Sequence, residues 1–327
     1  MLSWSIQELT FHLKYNWKIS RNESSFKKNF IITVSDGNIS ASGEVAPNIR
    51  YGETPAGIQE QFNKINPQLS FINTLSELIQ LINNESLVNS LKFGIESAFV
   101  HYQAKKHAIP VYTELGLPQP GPVYTSYTLP IMEPGKVKGF INEHNLLRFK
   151  YLKVKINKDS GLDLLKEIAS ITNKPLRIDA NEAWQDVDDL LVFMEKCHPF
   201  PIEFFEQPMP AALEQEYHYL KNKSPYELIA DESVTDYAEM KKIASQFHGV
   251  NMKLMKAGGY LKGIEILKNA KNEGLKTMIG CMVETSLGIF SAINLCNDLN
   301  YIDLDGHFLI ENEPFNIVSE REGRLFT

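Results

Sequence analysis

Beyond about residue 120 the chain alternates two patterns. Short apolar, β-branched runs fall near 124–131, 151–156, 175–179, 201–206, 227–231, 249–253, 275–280 and 300–304, and each predicts a strand. Between them apolar residues recur at intervals of three and four, which predicts helices over 134–145, 161–172, 187–198, 211–222, 236–246, 259–272 and 286–299. Eight strands interleaved with seven helices predict an α/β fold whose parallel sheet closes into a TIM-like (β/α)7β barrel. No glycine-rich fingerprint follows the first run, which argues against a doubly wound dinucleotide fold.

The first part of the chain reads differently. Residues 9–13 alternate apolar and polar side chains, residues 30–34 form a β-branched run, and Asp36, Gly37 and Asn38 supply a turn before Ile39. The loop at 19–25 carries Arg21, and a second loop spans 48–53. Residues 54–106 turn to helical spacing. Strands followed by a block of helices predict an α+β unit over 1–120, and the Pro/Gly-rich stretch 115–122 predicts its boundary with a barrel over 121–305.

Composition narrows the function classes. The 327 residues carry a net charge of -7, which gives nucleic-acid binding no electrostatic support. Three scattered cysteines fit neither a disulfide framework nor a thiolate zinc site. No apolar run is long enough for a signal peptide or a membrane span, so the expected setting is the cytoplasm, without a membrane partner. Self-association stays open.

The chemistry lies where the barrel strands end. In a βα barrel the active site is built at the C-terminal mouth of the strands. The second strand ends in Lys153 and Lys155, the third in Asp179, the fourth in Glu206, the fifth in Asp231 and the sixth in Lys253. From Lys155 onward these residues are 24, 27, 25 and 22 apart, about one βα unit each. Three carboxylates facing one mouth repel unless a hard cation sits among them, and oxygen donors of this type suit Mg²⁺, one per subunit. Lys155 and Lys253 lie on opposite sides of an eight-strand circle. One can take a proton from the α-carbon of a substrate carboxylate and the other return one from the opposite face, while the metal stabilises the enediolate between the steps. That is a 1,1-proton transfer, an epimerisation or racemisation. Lys153 shares a strand face with Lys155, and two ammonium groups so placed are expected to lower at least one pKa. Lys256 reads as structural or solvated.

The stretches Lys153-Val-Lys155, Asp179-Ala-Asn181, Glu206-Gln-Pro208, Asp231-Glu232 and Asn251-Met-Lys-Leu-Met-Lys-Ala-Gly-Gly259 resemble the enolase superfamily, and more closely its muconate-lactonizing subgroup. The resemblance covers essentially the whole chain. It implies that the N-terminal unit is a capping domain, completed by the tail from about 306 to 327. It implies an isomerase with Lys155 and Lys253 as bases, Asp179, Glu206 and Asp231 as metal ligands, and Thr128, Lys153 and Met282 at the substrate. Asp303-Leu-Asp305 resembles the Asp-x-Asp pair with which dipeptide epimerases hold a free ammonium, so Asp303 and Asp305 become substrate-binding candidates. Arg21 falls in a capping loop where Ala-Glu epimerases resemble one another in having an arginine. The resemblance therefore points to L-Ala-D/L-Glu epimerisation in cell-wall peptide recycling. Another dipeptide specificity, an o-succinylbenzoate synthase, an N-acylamino acid racemase or a cycloisomerase stays open beside it, and a barrel that only binds is the reading outside enzymes.

Overall fold

The computed structural model describes residues 1–18 and 23–327. An antiparallel sheet comes first, in the order β1 (Ser3–Lys18), β2 (Glu23–Ser35), β3 (Ser40–Val45). The first two strands are longer than the apolar runs predict, because ladder pairing continues through polar residues as far as Ser3↔Ser35 and Lys18↔Glu23. The Asp36 carboxylate accepts from the N–H groups of Asn38 and Ile39 at 2.8 Å each, which fixes the turn between β2 and β3.

Three helices follow: α1 (Pro55–Leu69), α2 (Leu75–Asn84) and α3 (Asn89–His107). Thr54 caps the first ahead of a proline, and Thr74 with Glu77 forms a capping box on the second. Ile58, Phe62 and Ile65 of α1, Leu78 and Ile82 of α2, and Leu91, Ile95 and Phe99 of α3 share one core with Trp4, Phe30, Ile32 and Val34 of the sheet. Helix α3 packs tightly on β3, where a Cβ on Gly43 would overlap the Ser97 side chain and the Gly94 carbonyl. Gly43→Ala is therefore expected to destabilise the fold by about 1–3 kcal/mol through overpacking, read as a lowered Tm. An unchanged Tm would show that α3 can retreat without cost.

After the short helix α4 (Val111–Glu114) and strand β4 (Val123–Tyr124), the barrel strands run in sequence: β5 (Ser126–Leu129), β6 (Tyr151–Lys155), β7 (Leu176–Asp179), β8 (Ile202–Glu206), β9 (Glu227–Ala230), β10 (Gly249–Lys253), β11 (Lys276–Gly280) and β12 (Tyr301–Asp303). Each pairs in parallel with the next, so chain order and sheet order coincide. The helices between them are α5 (Val137–Glu143), α6 (Gly161–Ile171), α7 (Val187–Lys196), α8 (Glu214–Lys223), α9 (Met240–Gln246), α10 (Leu254–Ala257), α11 (Tyr260–Asn272) and α12 (Ser286–Ile293). The last is shorter than its apolar pattern predicts. The Asn294 side chain folds back onto the Phe290 carbonyl, and Leu295 N–H bonds Ala292 O instead of continuing the helical ladder.

Strand alternation divides the barrel residues. Leu152, Val154, Ile178, Phe205, Leu228, Val250, Met252 and Ile279 pack in the large core with the helices. Phe204, Ile229 and Met278, with Tyr301, form a separate apolar cluster. Arg177 lies against the rings of Tyr151, Phe204 and Tyr301 and pairs with Glu203 at 2.9 Å. Between the two end strands of the sheet, side chains make the link. Ser126 donates to Asp303 Oδ1 at 2.6 Å, Thr128 N–H donates to Asp305 Oδ2 at 2.6 Å, and Leu304 N–H donates to Thr125 Oγ1 at 2.8 Å.

The tail divides. Ile310 bridges to Leu13 of β1, with Leu309 and Phe11 packed beside them. The hairpin of β13 (Ser319–Arg321) and β14 (Arg324–Phe326) instead pairs with β4. Among the described residues no helix is long and apolar enough to cross a membrane.

Candidate active site

The ends of β6 to β10 meet in one buried, charged layer. Lys153 and Lys155 are 3% and 8% exposed, Asp179 1%, Glu206 0%, Asp231 4% and Lys253 9%. So many charges tolerate burial only by pairing. Lys153 Nζ lies 3.0 Å from Asp179, 2.8 Å from Glu206 and 2.8 Å from Asp303. Lys155 Nζ donates to Asp179 Oδ2 and Asn181 Oδ1, both at 2.8 Å. Lys253 Nζ donates to Asp231 Oδ2 at 2.9 Å. In an eight-strand ring β6 and β10 stand four places apart, so Lys155 and Lys253 face each other across the carboxylates.

The turns after the strands hold these groups. Gln207, in the left-handed region at φ 35°, accepts from the N–H groups of Asp231 and Ser233 at 3.0 and 3.1 Å and donates to the Met209 carbonyl. It thereby ties the end of β8 to the end of β9. Asn181, also left-handed at φ 42°, donates its N–H to Asp179 Oδ1 at 3.1 Å. Backbone strain concentrated at such turns is typical of functional sites. Gly280 leaves room for the Asn251 amide, which a Cβ there would crowd, and Asn251 Nδ2 reaches Glu206 Oε1 at 2.8 Å.

At Lys153 the surrounding acids decide the electrostatics. Burial works to lower the pKa of Lys153, but Asp179, Asp303, Glu206 and Asp231 outweigh it and hold the ammonium well above its ordinary value. The neighbouring lysine is thus a weaker influence than the acids. Burial likewise opposes ionisation of Asp179, but Lys153 and Lys155 hold its carboxyl well below the usual range. Burial pushes Glu206 up to about 7, with Lys153 opposing the rise and Asp179 adding to it.

The substrate-side candidates are placed as follows. Asp303 lies between Ser126 and Lys153, and Asp305 against the Thr128 N–H, so both carboxylates also join the ends of the sheet. Burial, then the Asp303 charge, raises Asp305 to about 7. Thr128 is buried at 3% exposure. The N–H of Met282 donates to Glu284 Oε1 at 2.7 Å, and its sulfur lies 3.9 Å from Asn48 Nδ2 in the loop before α1. Arg21 lies outside the described residues.

Further residues join the site through contacts that spacing along the chain does not settle. Lys256 is buried at 3% exposure and donates to Asp231 Oδ1 at 2.6 Å, so of its two readings the structural one holds. Trp17 of β1 places its ring 5.7 Å from Lys155 Nζ, and Tyr15 OH lies 3.2 Å from Tyr127 OH. The aromatic alternation Tyr15-Asn16-Trp17 is the available signal for these two, and it resembles any strand.

The donor set suits a hard divalent cation. Asp179, Glu206 and Asp231 offer carboxylate oxygens at the ends of three adjacent strands, and among the described residues Glu206 Oε2 is buried without a hydrogen bond, 2.8 Å from the Lys153 ammonium. In this geometry Lys153 supplies the countercharge. Among the described residues no three acidic, histidine or cysteine side chains form a closed metal cage.

Comparison with known proteins places the architecture. The family model of enolase C-terminal domain-like proteins matches residues 138–318, more than half of the chain. The L-Ala-D/L-amino acid epimerase of Pedosphaera parvula is 33% identical over 301 residues, 90% of this chain and 85% of that one. The L-Ala-D/L-Glu epimerase of Bacteroides thetaiotaomicron is 29% identical over 88% of this chain and 75% of its own. Among solved structures, the dipeptide epimerase of Enterococcus faecalis V583, complexed with Mg and L-Leu-L-Tyr, superposes with a TM-score of 0.88 at 25% identity, covering 97% of this chain and 92% of that one. The relatives are thus isomerases that differ in the dipeptide they are named for. By the family match and this level of identity, the chain belongs to the enolase superfamily, in the branch of isomerases that holds the dipeptide epimerases.

Proposed function

We propose that this protein is a Mg²⁺-dependent epimerase of L-Ala-D/L-Glu that moves a proton at the α-carbon of the C-terminal residue. The observation that carries the reading is the opposition of two buried lysines, Lys155 and Lys253, across a set of buried carboxylates. Each base addresses one face of the α-carbon, so removal by one and return by the other inverts the centre. Lys153, kept as an ammonium, holds the substrate carboxylate. Asp303 and Asp305 hold the ammonium of the N-terminal residue, and Thr128 and Met282 line the pocket beside them. Mg²⁺ held by Asp179, Glu206 and Asp231 supplies the positive charge that favours loss of the α-proton next to a carboxylate. Residues 1–120 form the capping domain, joined by the start of the tail where Ile310 meets Leu13, and 121–305 the catalytic barrel, whose β4 takes the hairpin at the end of the tail. Arg21, outside the described residues, is assigned the glutamate side chain by the resemblance alone.

A second reading changes only the side chain. The Trp17 ring beside Lys155 favours an apolar residue at the epimerised position. One experiment separates the two. In D₂O with Mg²⁺, L-Ala-L-Glu and a panel of L-Ala-L-Xaa dipeptides are followed by proton NMR. Exchange and inversion of the second α-proton are expected, stopped by a chelator and restored by added Mg²⁺. A higher kcat/KM for apolar Xaa than for Glu selects the second reading. No exchange with any dipeptide would reduce the protein to a binding barrel.

A further inference from the structure

We propose a second binding site, for a small molecule bearing a carboxylate or phosphate, in the cleft between the end of β1 and the chain that follows β12. The cleft has a volume of about 600 Å³, and its lining includes Lys14, His307, Phe308, Asn312, Glu313 and Asn316. None of the barrel-mouth residues lines it. Phe308, which does, stacks on Tyr127, whose hydroxyl meets that of Tyr15.

Three groups in the cleft have uncommitted donors. His307 is only 7% exposed, yet among the described residues neither ring nitrogen has a hydrogen-bond partner. A buried polar group left in that state is costly, and an idle imidazole lining a cleft is poised for a ligand. Burial, with Lys14 adding to it, pushes its pKa down to about 3, so the ring is neutral and offers one N–H. Lys14 makes no ion pair or hydrogen bond among the described residues, and the Asn312 amide makes none either. The other charges nearby are spoken for. Arg148 is held by Glu320 at 2.9 Å and by the carbonyls of His144 and Asn145. Glu313 accepts from the Ser286 N–H and hydroxyl, the Phe315 N–H and the Asn316 N–H, so four donors screen its charge. Glu311, exposed, bears on Lys14 electrostatically but makes no ion pair with it. An ammonium, an imidazole N–H and an amide N–H₂ together match an oxyanion, by charge and by donor count. The volume leaves room for a body larger than the anion alone.

The test uses the full chain without added metal. Inorganic phosphate and, separately, acetate are titrated in by calorimetry, and the imidazole ¹⁵N resonances are followed in parallel. Saturable binding of one equivalent is expected, with the His307 resonances moving. Loss of one charge-assisted hydrogen bond is worth about 1.5 kcal/mol or more, so Lys14→Met should weaken binding about tenfold. His307→Phe should weaken it too, and Lys253→Ala should leave it unchanged. Tighter phosphate than acetate points to a phosphorylated ligand, and the reverse to a carboxylate. No saturable binding of either anion overturns the site. So does binding that ignores Lys14→Met, or that is lost in Lys253→Ala, which puts the anion in the barrel mouth. Lys14 is exposed, so its variant keeps the test informative if His307→Phe does not fold.

Discussion

Lys155→Ala and Lys253→Ala are each expected to abolish epimerisation, a loss of about 10²- to 10⁴-fold or more in kcat/KM, as for removal of a positioned acid–base group. On the proposed mechanism inversion needs both lysines, since one takes the proton and the other returns it from the opposite face. Exchange needs only one, because a single lysine can remove an α-proton, swap it with solvent and put it back. Each variant should therefore still wash deuterium into one stereoisomer of the dipeptide, and the two should choose opposite stereoisomers. Misfolding cannot imitate that split. Each alanine also strips a partner from a buried carboxylate: Asp179 loses Lys155 but keeps Lys153, and Asp231 loses Lys253 but keeps Lys256. The remaining partner should keep both variants folded, with Tm lowered but a single transition. Full activity in either variant removes that lysine from the mechanism. Loss of exchange from both stereoisomers in both variants would assign the lysines to charge balance instead.

The ring of ionisable residues was legible because a βα unit has nearly constant length. Lys155, Asp179, Glu206, Asp231 and Lys253 fall at strand ends whatever the intervening loops do, and strand geometry then aims them at one mouth. What was hidden depends on contacts between distant segments. Lys256 follows Lys253 by three residues and spacing leaves it structural or solvated; only the fold decides, because α10 places it under Asp231. The high pKa of Lys153 comes from acids on three other strands, while local spacing reveals only its lysine neighbour. Trp17 belongs to the first strand of the chain and meets Lys155 only after the cap has folded onto the barrel. His307 carries no local signal at all. Its idle nitrogens are a property of what surrounds it, and its surroundings come from β1 and the tail.

Asp303→Asn and Asp305→Asn are expected to raise KM for dipeptides by about 10- to 100-fold, the cost of weakening a charge-assisted contact to a buried ammonium. The structure gives these two residues a rival role, since Asp303 is tied to Ser126 and Lys153 and Asp305 to the Thr128 N–H where the ends of the sheet meet. Asparagine keeps a hydrogen-bond acceptor in both places, so the link should loosen without opening. Asp303→Asn also removes one of three acids around Lys153, whereas Asp305→Asn leaves that set intact, so the first should lower Tm more than the second. A purely architectural role would depress kcat/KM for every substrate in proportion to lost stability. Ammonium recognition gives a different signature: the ratio of kcat/KM for L-Ala-L-Glu to that for its N-acetyl derivative should fall in both variants. It should fall as far in Asp305→Asn, whose stability is less affected, as in Asp303→Asn. A ratio that stays constant while Tm drops would leave the pair with the architectural role alone, and the free amino group would then have to be read by another part of the mouth.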